Sequence, residues 1–209
     1  MKYEAALFDL DGVILDSEPL HVAAFRATLE NYGHSLSTHD YKECFAGKTD
    51  EAGFESYFKF IDENVDLSIL MDEKAKKYLE LAGNQLVPYP GVVQLIRSLA
   101  RSMPLALVTG SLRAEAEVAL RTFEITDCFK IIVAAEDISQ SKPSPEGYNK
   151  AAALLGTPST HCVVVEDSPN GIKAARAAGA DCIAVTNTHT ESELQDATNV
   201  VNQLELSMF

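Results

Sequence analysis

Five short apolar runs punctuate the chain: Ala5 to Phe8, Leu105 to Val108, Ile131 to Ala135, Cys162 to Val165 and Cys182 to Val185. Each is a continuous block rather than an alternation, the pattern of strands buried on both faces of a parallel sheet. Helical periodicities separate the later runs. Gly91 to Arg101 carries Val92, Val93, Leu95, Ile96 and Leu99, and Arg113 to Phe123 carries Ala116, Ala119, Leu120 and Phe123. Ser144 to Leu155 and Ser168 to Ala178 each begin with Ser-Pro, and Gly179 follows the second, the proline-in, glycine-out asymmetry of a helix. Strand and helix in repeated alternation predict a doubly wound α/β domain.

Residues 15–87 break the alternation, with no convincing β-branched run. Leu20 to Tyr32, ended by Gly33, reads as a helix, as do Glu51 to Ile61 and Leu67 to Leu81. Pro88-Tyr89-Pro90-Gly91 returns the chain to the α/β pattern. The predicted organisation is an α/β core over 1–14 and 88–209, interrupted by an all-helical insertion over 15–87. Lys74, Lys76 and Lys77 read as a solvated helix face, from which one could reach the site.

Composition narrows the partners. Lys plus Arg number 17 against 31 Asp plus Glu, a formal charge of −14. Such a surface repels nucleic acid and anionic lipid. It also repels phosphate esters, so a phosphate site here needs its own cations or oriented amides. No apolar run reaches the ~18–20 residues of a membrane span. Met1-Lys2-Tyr3-Glu4 lacks a signal-peptide pattern, so the expected location is cytoplasmic. Cys44, Cys128, Cys162 and Cys182 have no zinc-ligand spacing and read as small hydrophobes.

In an open parallel sheet, ligands bind beyond the carboxyl ends of the strands. The groups that follow the five runs are therefore expected to converge. They are Asp9-Leu10-Asp11-Gly12, Thr109-Gly110-Ser111, Lys142-Pro143, Glu166-Asp167-Ser168 and Thr186-Asn187. Asp9 and Asp11, two residues apart on an extended backbone, point the same way. With Glu166 and Asp167 nearby, these carboxylates cannot all stay ionised without a cation. Oxygen-only ligands suit Mg²⁺, which shares its coordination with substrate phosphate. One Asp can then attack phosphorus while the other moves protons. Lys142, Thr109 and the backbone amides of Gly110 and Ser111 can neutralise the transferred group. Taken singly, each is an ordinary turn, cap or loop residue; order and shared location carry the reading.

These residues resemble the haloacid dehalogenase superfamily of phosphotransferases. The motifs are Phe8-Asp9-Leu10-Asp11-Gly12-Val13, Leu107-Val108-Thr109-Gly110-Ser111, Ser141-Lys142-Pro143 and Val165-Glu166-Asp167-Ser168-Pro169-Asn170-Gly171. The resemblance implies a Rossmann-like core in which Asp9 is nucleophile and metal ligand. It makes Asp11 the acid/base, its carbonyl on the metal, and has Thr109 and Lys142 bind the phosphoryl group. Asp167 ligates Mg²⁺ with help from Glu166. The insertion resembles the helical cap of the branch that contains β-phosphoglucomutase and many small phosphatases.

The expected function is a Mg²⁺-dependent phosphatase acting on a small, sugar-like phosphomonoester, monomeric, with a cap that opens and closes about Leu15-Asp16-Ser17 and Val87-Pro88. A hexose-phosphate mutase is the alternative. In that reading an Arg grips a second phosphate, but Asp50 in Gly47-Lys48-Thr49-Asp50 falls where that Arg would be, with Lys48 as a nearby compensating cation. His21 matches a cap-hinge His of the mutases and is a candidate substrate contact, although it also reads as a polar helix residue. A phospho-Asp receiver that does not turn over is a distant third. Its acceptor Asp follows a middle strand, whereas Asp9 follows the first.

Overall fold

The computed structural model describes residues 2–46, 48–63 and 65–209, the side chain of Asn84 excepted. The chain divides into two compact units, Met1–Ser17 with Leu86–Phe209, and Glu18–Gln85. The first boundary falls three residues later than the sequence suggests. Leu15 is fully buried, its N–H bonds Leu10 O, and it bridges to Pro88, so it belongs to the core. Both connecting segments pair before leaving the core, through Asp16 N to Val87 O at 3.3 Å and Tyr89 N to Ile14 O at 2.9 Å.

The α/β unit holds β1 (Ala5–Phe8), β2 (Leu105–Val108), β3 (Phe129–Val133), β4 (Cys162–Glu166), β5 (Asp181–Val185) and β6 (Asn199–Val201). They form one parallel sheet in the order β3-β2-β1-β4-β5-β6. The order reverses at β1, so the crevice that such sheets use for ligands lies beyond its carboxyl end, at Asp9. Side-chain alternation divides the core into two layers. Ala6, Phe8, Leu105, Leu107, Val163 and Val165 pack with α5 (Val92–Leu99) and α6 (Arg113–Thr122). Ala5, Leu7, Ala106, Val108 and Val164 pack with α7 (Glu146–Leu155) and α8 (Pro169–Ala177). Helices on both faces are what the continuous apolar runs require.

Two strands depart from expectation. The third apolar run predicts Ile131 to Ala135, but β3 begins at Phe129 because its register against β2 starts there, with a shift between Leu105 and Ala106. β6 lacks an apolar block; it is a three-residue edge strand with no buried residue, and edges need no apolar stretch to pair. Cys44, Cys162 and Cys182 are buried, Cys128 is half-buried, and all four are free thiols. Among the described residues no helix is long and apolar enough to cross a membrane.

The helical unit contains α1 (Glu18–Glu30), α2 (Thr38–Cys44), α3 (Asp50–Phe60) and α4 (Leu67–Gln85). Sequence periodicity misses α2, a seven-residue polar helix that starts on a capping box between Ser37 and Asp40. An aromatic cluster fills the unit: Phe25, Tyr41, Phe45, Phe54, Tyr57 and Phe58. Phe25 and Phe45 lie 4.3 Å apart between centroids, and a Cβ on Gly53 would stand 2.5 Å from the Phe45 ring.

The reading of Lys74 as solvated is corrected by the structure. Lys74 is fully buried, while Lys76 is exposed and Lys77 pairs with Glu80 at 2.9 Å. Leu70, Lys74, Tyr78 and Ala82 recur every fourth residue and make the buried stripe of α4. Lys74 Nζ lies 2.7 Å from Asp50 Oδ2 and 2.9 Å from His21 Nδ1, and 5.2 Å from the ring centroids of Phe25 and Tyr78. A buried ammonium survives only where a carboxylate and polar or aromatic partners replace its water.

Candidate active site

The sheet places the strand-end residues. Asp9 N donates to Val165 O at 3.0 Å and Thr109 N to Val133 O at 2.9 Å, so both ladders run one residue beyond their strands and hold these two backbones rigidly. Asp9 and Thr109 are buried. Gly12, at φ +76, turns the chain back after Asp11, and its N–H bonds Leu15 O at 2.9 Å. A Cβ there would stand 2.0 Å from Asp167 Oδ2, so the approach of the two loops requires glycine.

Asp9, Glu166 and Asp167 each bring a carboxylate oxygen within 4.8 Å of the others, all buried. Lys142, which follows no strand directly and precedes a cis peptide bond to Pro143, reaches in from its loop. Its Nζ stands 2.7 Å from Asp9 Oδ1 and 2.6 Å from Glu166 Oε1. Glu166 also accepts from Tyr148 Oη at 2.7 Å, Asp167 N at 3.0 Å, and Ser168 N and Oγ at 3.2 and 3.0 Å. A Cβ on Gly171 would fall 1.8 Å from Glu166 Oε1, so the first turn of α8 is shaped around this carboxylate. Asp11 Oδ2 accepts from Ser111 Oγ at 2.5 Å and from Thr109 Oγ1 at 3.5 Å. Asp11 Oδ1 is buried with no hydrogen-bond partner among the described residues. The amide of Ser111 donates to Thr109 Oγ1 at 2.9 Å, and Gly110 is exposed beside it.

The electrostatics follow from crowding. Burial pushes Asp9 well above the ordinary carboxylate range; Lys142 opposes this, and the charges of Glu166 and Asp167 reinforce it. Burial and the charge of Glu166 push Asp167 up to about 7, against the pull of the Thr188 hydroxyl. Glu166 is buried too, but Lys142 and the Tyr148 hydroxyl outweigh burial and hold it low. Burial alone would lower Lys142, yet the attraction of Asp9 and Glu166 keeps it above its ordinary value. Three carboxylates around one ammonium leave an excess of negative charge. The oxygen-only donor set and the partnerless Asp11 oxygen fit a hard divalent cation such as Mg²⁺. Within the trio, Glu166 has the least acceptor capacity left, while Asp9 and Asp167 have the most.

Of the expected contacts in the helical unit, His21 joins Lys74 and Asp50 and stacks on Tyr78 at 4.5 Å. Lys48 is exposed and turned to its own unit, donating to Glu43 O at 2.9 Å and Ser56 Oγ at 3.0 Å. Gly47 lies outside the described residues. Sequence reasoning missed Tyr148 and Thr188 as parts of the α/β site, and it placed Asn187 at the sheet edge without a role. Tyr148 gives no signal, being one more apolar position on α7. The strand-end rule points to the segment after β5 but assigns it no role.

The fold and this constellation define a class, and comparison with known proteins agrees. The family model described as haloacid dehalogenase-like hydrolase matches residues 6–185. Fructose-1-phosphate phosphatase of Escherichia coli (strain K12) is 33% identical over 186 residues, 88% of this chain and 97% of its own. Validoxylamine A 7'-phosphate phosphatase of Streptomyces hygroscopicus subsp. limoneus is 30% identical over 204 residues, 97% of this chain and 94% of its own. Among solved structures, a CbbY mutant from Rhodobacter sphaeroides in complex with xylulose-(1,5)bisphosphate superposes with a TM-score of 0.86 at 26% identity, covering 96% of this chain and 94% of that one. The chain belongs to the haloacid dehalogenase-like hydrolases. Within that family it is a phosphoric monoester hydrolase.

Proposed function

We propose that the chain is a Mg²⁺-dependent phosphatase that hydrolyses a small sugar-like phosphomonoester through an aspartyl-phosphate on Asp9. The observation that carries it is the buried trio of Asp9, Glu166 and Asp167 around the single ammonium of Lys142. Asp9 and Asp167 would hold the ion, with the carbonyl of Asp11, while Glu166 anchors Lys142. The ion supplies charge neutralisation at phosphate oxygens and suppresses the crowding that otherwise protonates the carboxylates.

This chain's own residues then divide the work. Asp9 attacks phosphorus; its carboxylate oxygen forms the new P–O bond as the bond to the sugar oxygen breaks. Asp11 gives its proton to that departing oxygen, then takes one from the water that attacks the aspartyl-phosphate. Its partnerless Oδ1 is the atom suited to that exchange. Lys142 offsets charge on the phosphoryl oxygens, and Thr109 and Ser111 donate to them.

Hydrolysis is favoured over phosphoryl transfer between two positions of a sugar. The position where a second phosphate would be gripped carries Asp50 instead of an Arg, and Lys74, buried and paired with Asp50 at 2.7 Å, is not a cation reserved for that phosphate. The relatives from Escherichia coli and Streptomyces hygroscopicus named above are phosphatases by name. The proposed localisation is cytoplasmic and the proposed state monomeric. The test is a panel of sugar monophosphates with Mg²⁺, scored for inorganic phosphate and for positional isomers of the ester. Phosphate release that stops on chelation is expected; isomerisation without release would replace the phosphatase by a mutase.

A further inference from the structure

We infer that the loop 186–188 after β5 ties the two halves of the carboxylate cluster together for the cation, with Asn187 and Thr188 as positioning residues. The inference rests on the metal part of the proposed function and adds two side chains that the motifs do not contain.

The β5 loop reaches across β4 to the turn after β1. Asn187 Nδ2 donates to Gly12 O at 2.8 Å and so clasps the turn that carries Asp9 and Asp11. The next residue, Thr188, donates its hydroxyl to Asp167 Oδ2 in a short hydrogen bond. Its methyl also packs here: a Cβ on Gly12 would lie 3.1 Å from Thr188 Cγ2. Adjacent residues of one loop thus hold Gly12 on one side and Asp167 on the other. These are the two segments whose separation sets the spacing of the cation's ligands.

The chemistry of a hydroxyl makes the Thr188 contact directional. Thr188 has one hydroxyl proton, which it gives to Asp167, and its oxygen also lies 2.8 Å from His189 Nδ1. Occupying Oδ2 stops the Asp167 carboxylate from rotating freely. Among the described residues no hydrogen bond reaches Asp167 Oδ1, which is left for a cation. Partners that orient a ligating carboxylate affect metal affinity strongly even though they never touch the metal. Asn187 and Thr188 are themselves exposed and their bonds to Gly12 and Asp167 are only partly buried, so each adds a modest amount to fold stability. A role in orientation is therefore separable from a role in folding.

The experiment is calorimetric titration of the metal-free protein with Mg²⁺, without substrate, for wild type, Thr188→Val, Thr188→Ser and Asn187→Ala. Metal-free Tm is measured alongside. Thr188→Val keeps the shape and removes the donor, and it should bind Mg²⁺ about tenfold more weakly or worse. Thr188→Ser should stay near wild type, Asn187→Ala should weaken binding, and metal-free Tm should move by no more than a few degrees. Wild-type affinity in Thr188→Val, or serine as weak as valine, overturns the inference. Should valine lower the metal-free Tm by more than that, Thr188→Ala replaces it with the same expected loss of affinity. Because no turnover is read, a wild type whose Mg²⁺ affinity depends on the Thr188 hydroxyl but which hydrolyses no ester removes the proposed reaction and leaves this inference standing.

Discussion

Lys142 places its ammonium 2.7 Å from Asp9 Oδ1 in a site where burial and like charge push Asp9 upward. The same ammonium is held by Glu166 at 2.6 Å, so its position is set from the far side of the attacking group. Lys142→Met should lower kcat/KM by about 10²- to 10³-fold, the range for loss of one preorganised charge-stabilising donor. Lys142→Arg should not rescue it. A planar guanidinium cannot occupy the compact space between two carboxylates above the Tyr148 ring, whose centroid is 5.4 Å from Nζ. Steady-state kinetics on a sugar monophosphate would decide, and near-normal turnover in either variant would count against the assignment.

Asp9→Asn should combine lost activity with a more stable metal-free fold. Turnover should fall by about a thousandfold or more, as expected when the nucleophile is removed. Without metal the substitution replaces a carboxyl whose ionisation is opposed by burial and by its neighbours' charges, so Tm at alkaline pH should rise. A lower Tm would mean that the Lys142 contact outweighs the crowding.

The pH dependence of the metal-free protein has a definite sign. Asp167 is pushed up from 3.8 to about 7 by burial and by Glu166. An acid whose folded pKa is raised contributes stability that is fully present below its unfolded pKa and is lost as pH rises through the folded value. Metal-free Tm should therefore decline between about pH 4 and pH 7 from this group. Mg²⁺ should raise Tm more at pH 8 than at pH 5.5, because at low pH it competes with protons for the same oxygens. Scanning calorimetry with and without chelator tests both statements; an equal Mg²⁺ effect at the two pH values would contradict them.

Gly171→Ala should be harmful in spite of the helical preference for alanine. That preference favours alanine by about 1 kcal/mol. The new Cβ would fall 1.8 Å from Glu166 Oε1, and Glu166 is anchored by Lys142, Tyr148 and two backbone amides. Overpacking of this kind costs about 1–3 kcal/mol. Reduced Tm with weakened Mg²⁺ binding is expected, and a stabilised variant would show that Glu166 has room to move.

The Lys74–Asp50 pair should respond asymmetrically. Asp50→Ala removes a carboxylate 2.7 Å from a fully buried ammonium and should cost about 3 kcal/mol, as breaking a buried ion pair does. Lys74→Met should cost less, because Asp50 is partly exposed to water and a thioether can pack on Phe25 and Tyr78. Urea unfolding of the two variants gives the order; the reverse order would mean that water reaches Lys74.

The α/β core was legible because its signals are local. Continuous apolar runs and Ser-Pro helix starts depend only on neighbours in the chain, and they located β1, β2, β4, β5 and the helices between. The convergence of Asp9, Thr109, Lys142 and Asp167 was legible for a related reason. A parallel sheet delivers every strand end to one edge, so Asp9, Thr109 and Asp167, just past their runs, are brought together, whereas Lys142, nine residues beyond β3, depends on its loop to reach them. β6 and α2 escaped because an edge strand and a capped polar helix need no apolar pattern of their own.

By itself the sequence determined the architecture and which polar groups stand at the sheet edge, since periodicity and strand-end position are properties of short segments. The tertiary structure alone decided the rest. It buried Lys74 in a stripe that its charge disguises, between Asp50 and His21. It saturated Glu166 and thereby separated it from Asp9 and Asp167 as an anchor. It also brought Asn187 and Thr188 against Gly12 and Asp167. Such contacts join residues as many as 175 positions apart in the chain. What a buried charge or a hydroxyl does depends on the partners that packing supplies, and no local pattern records them.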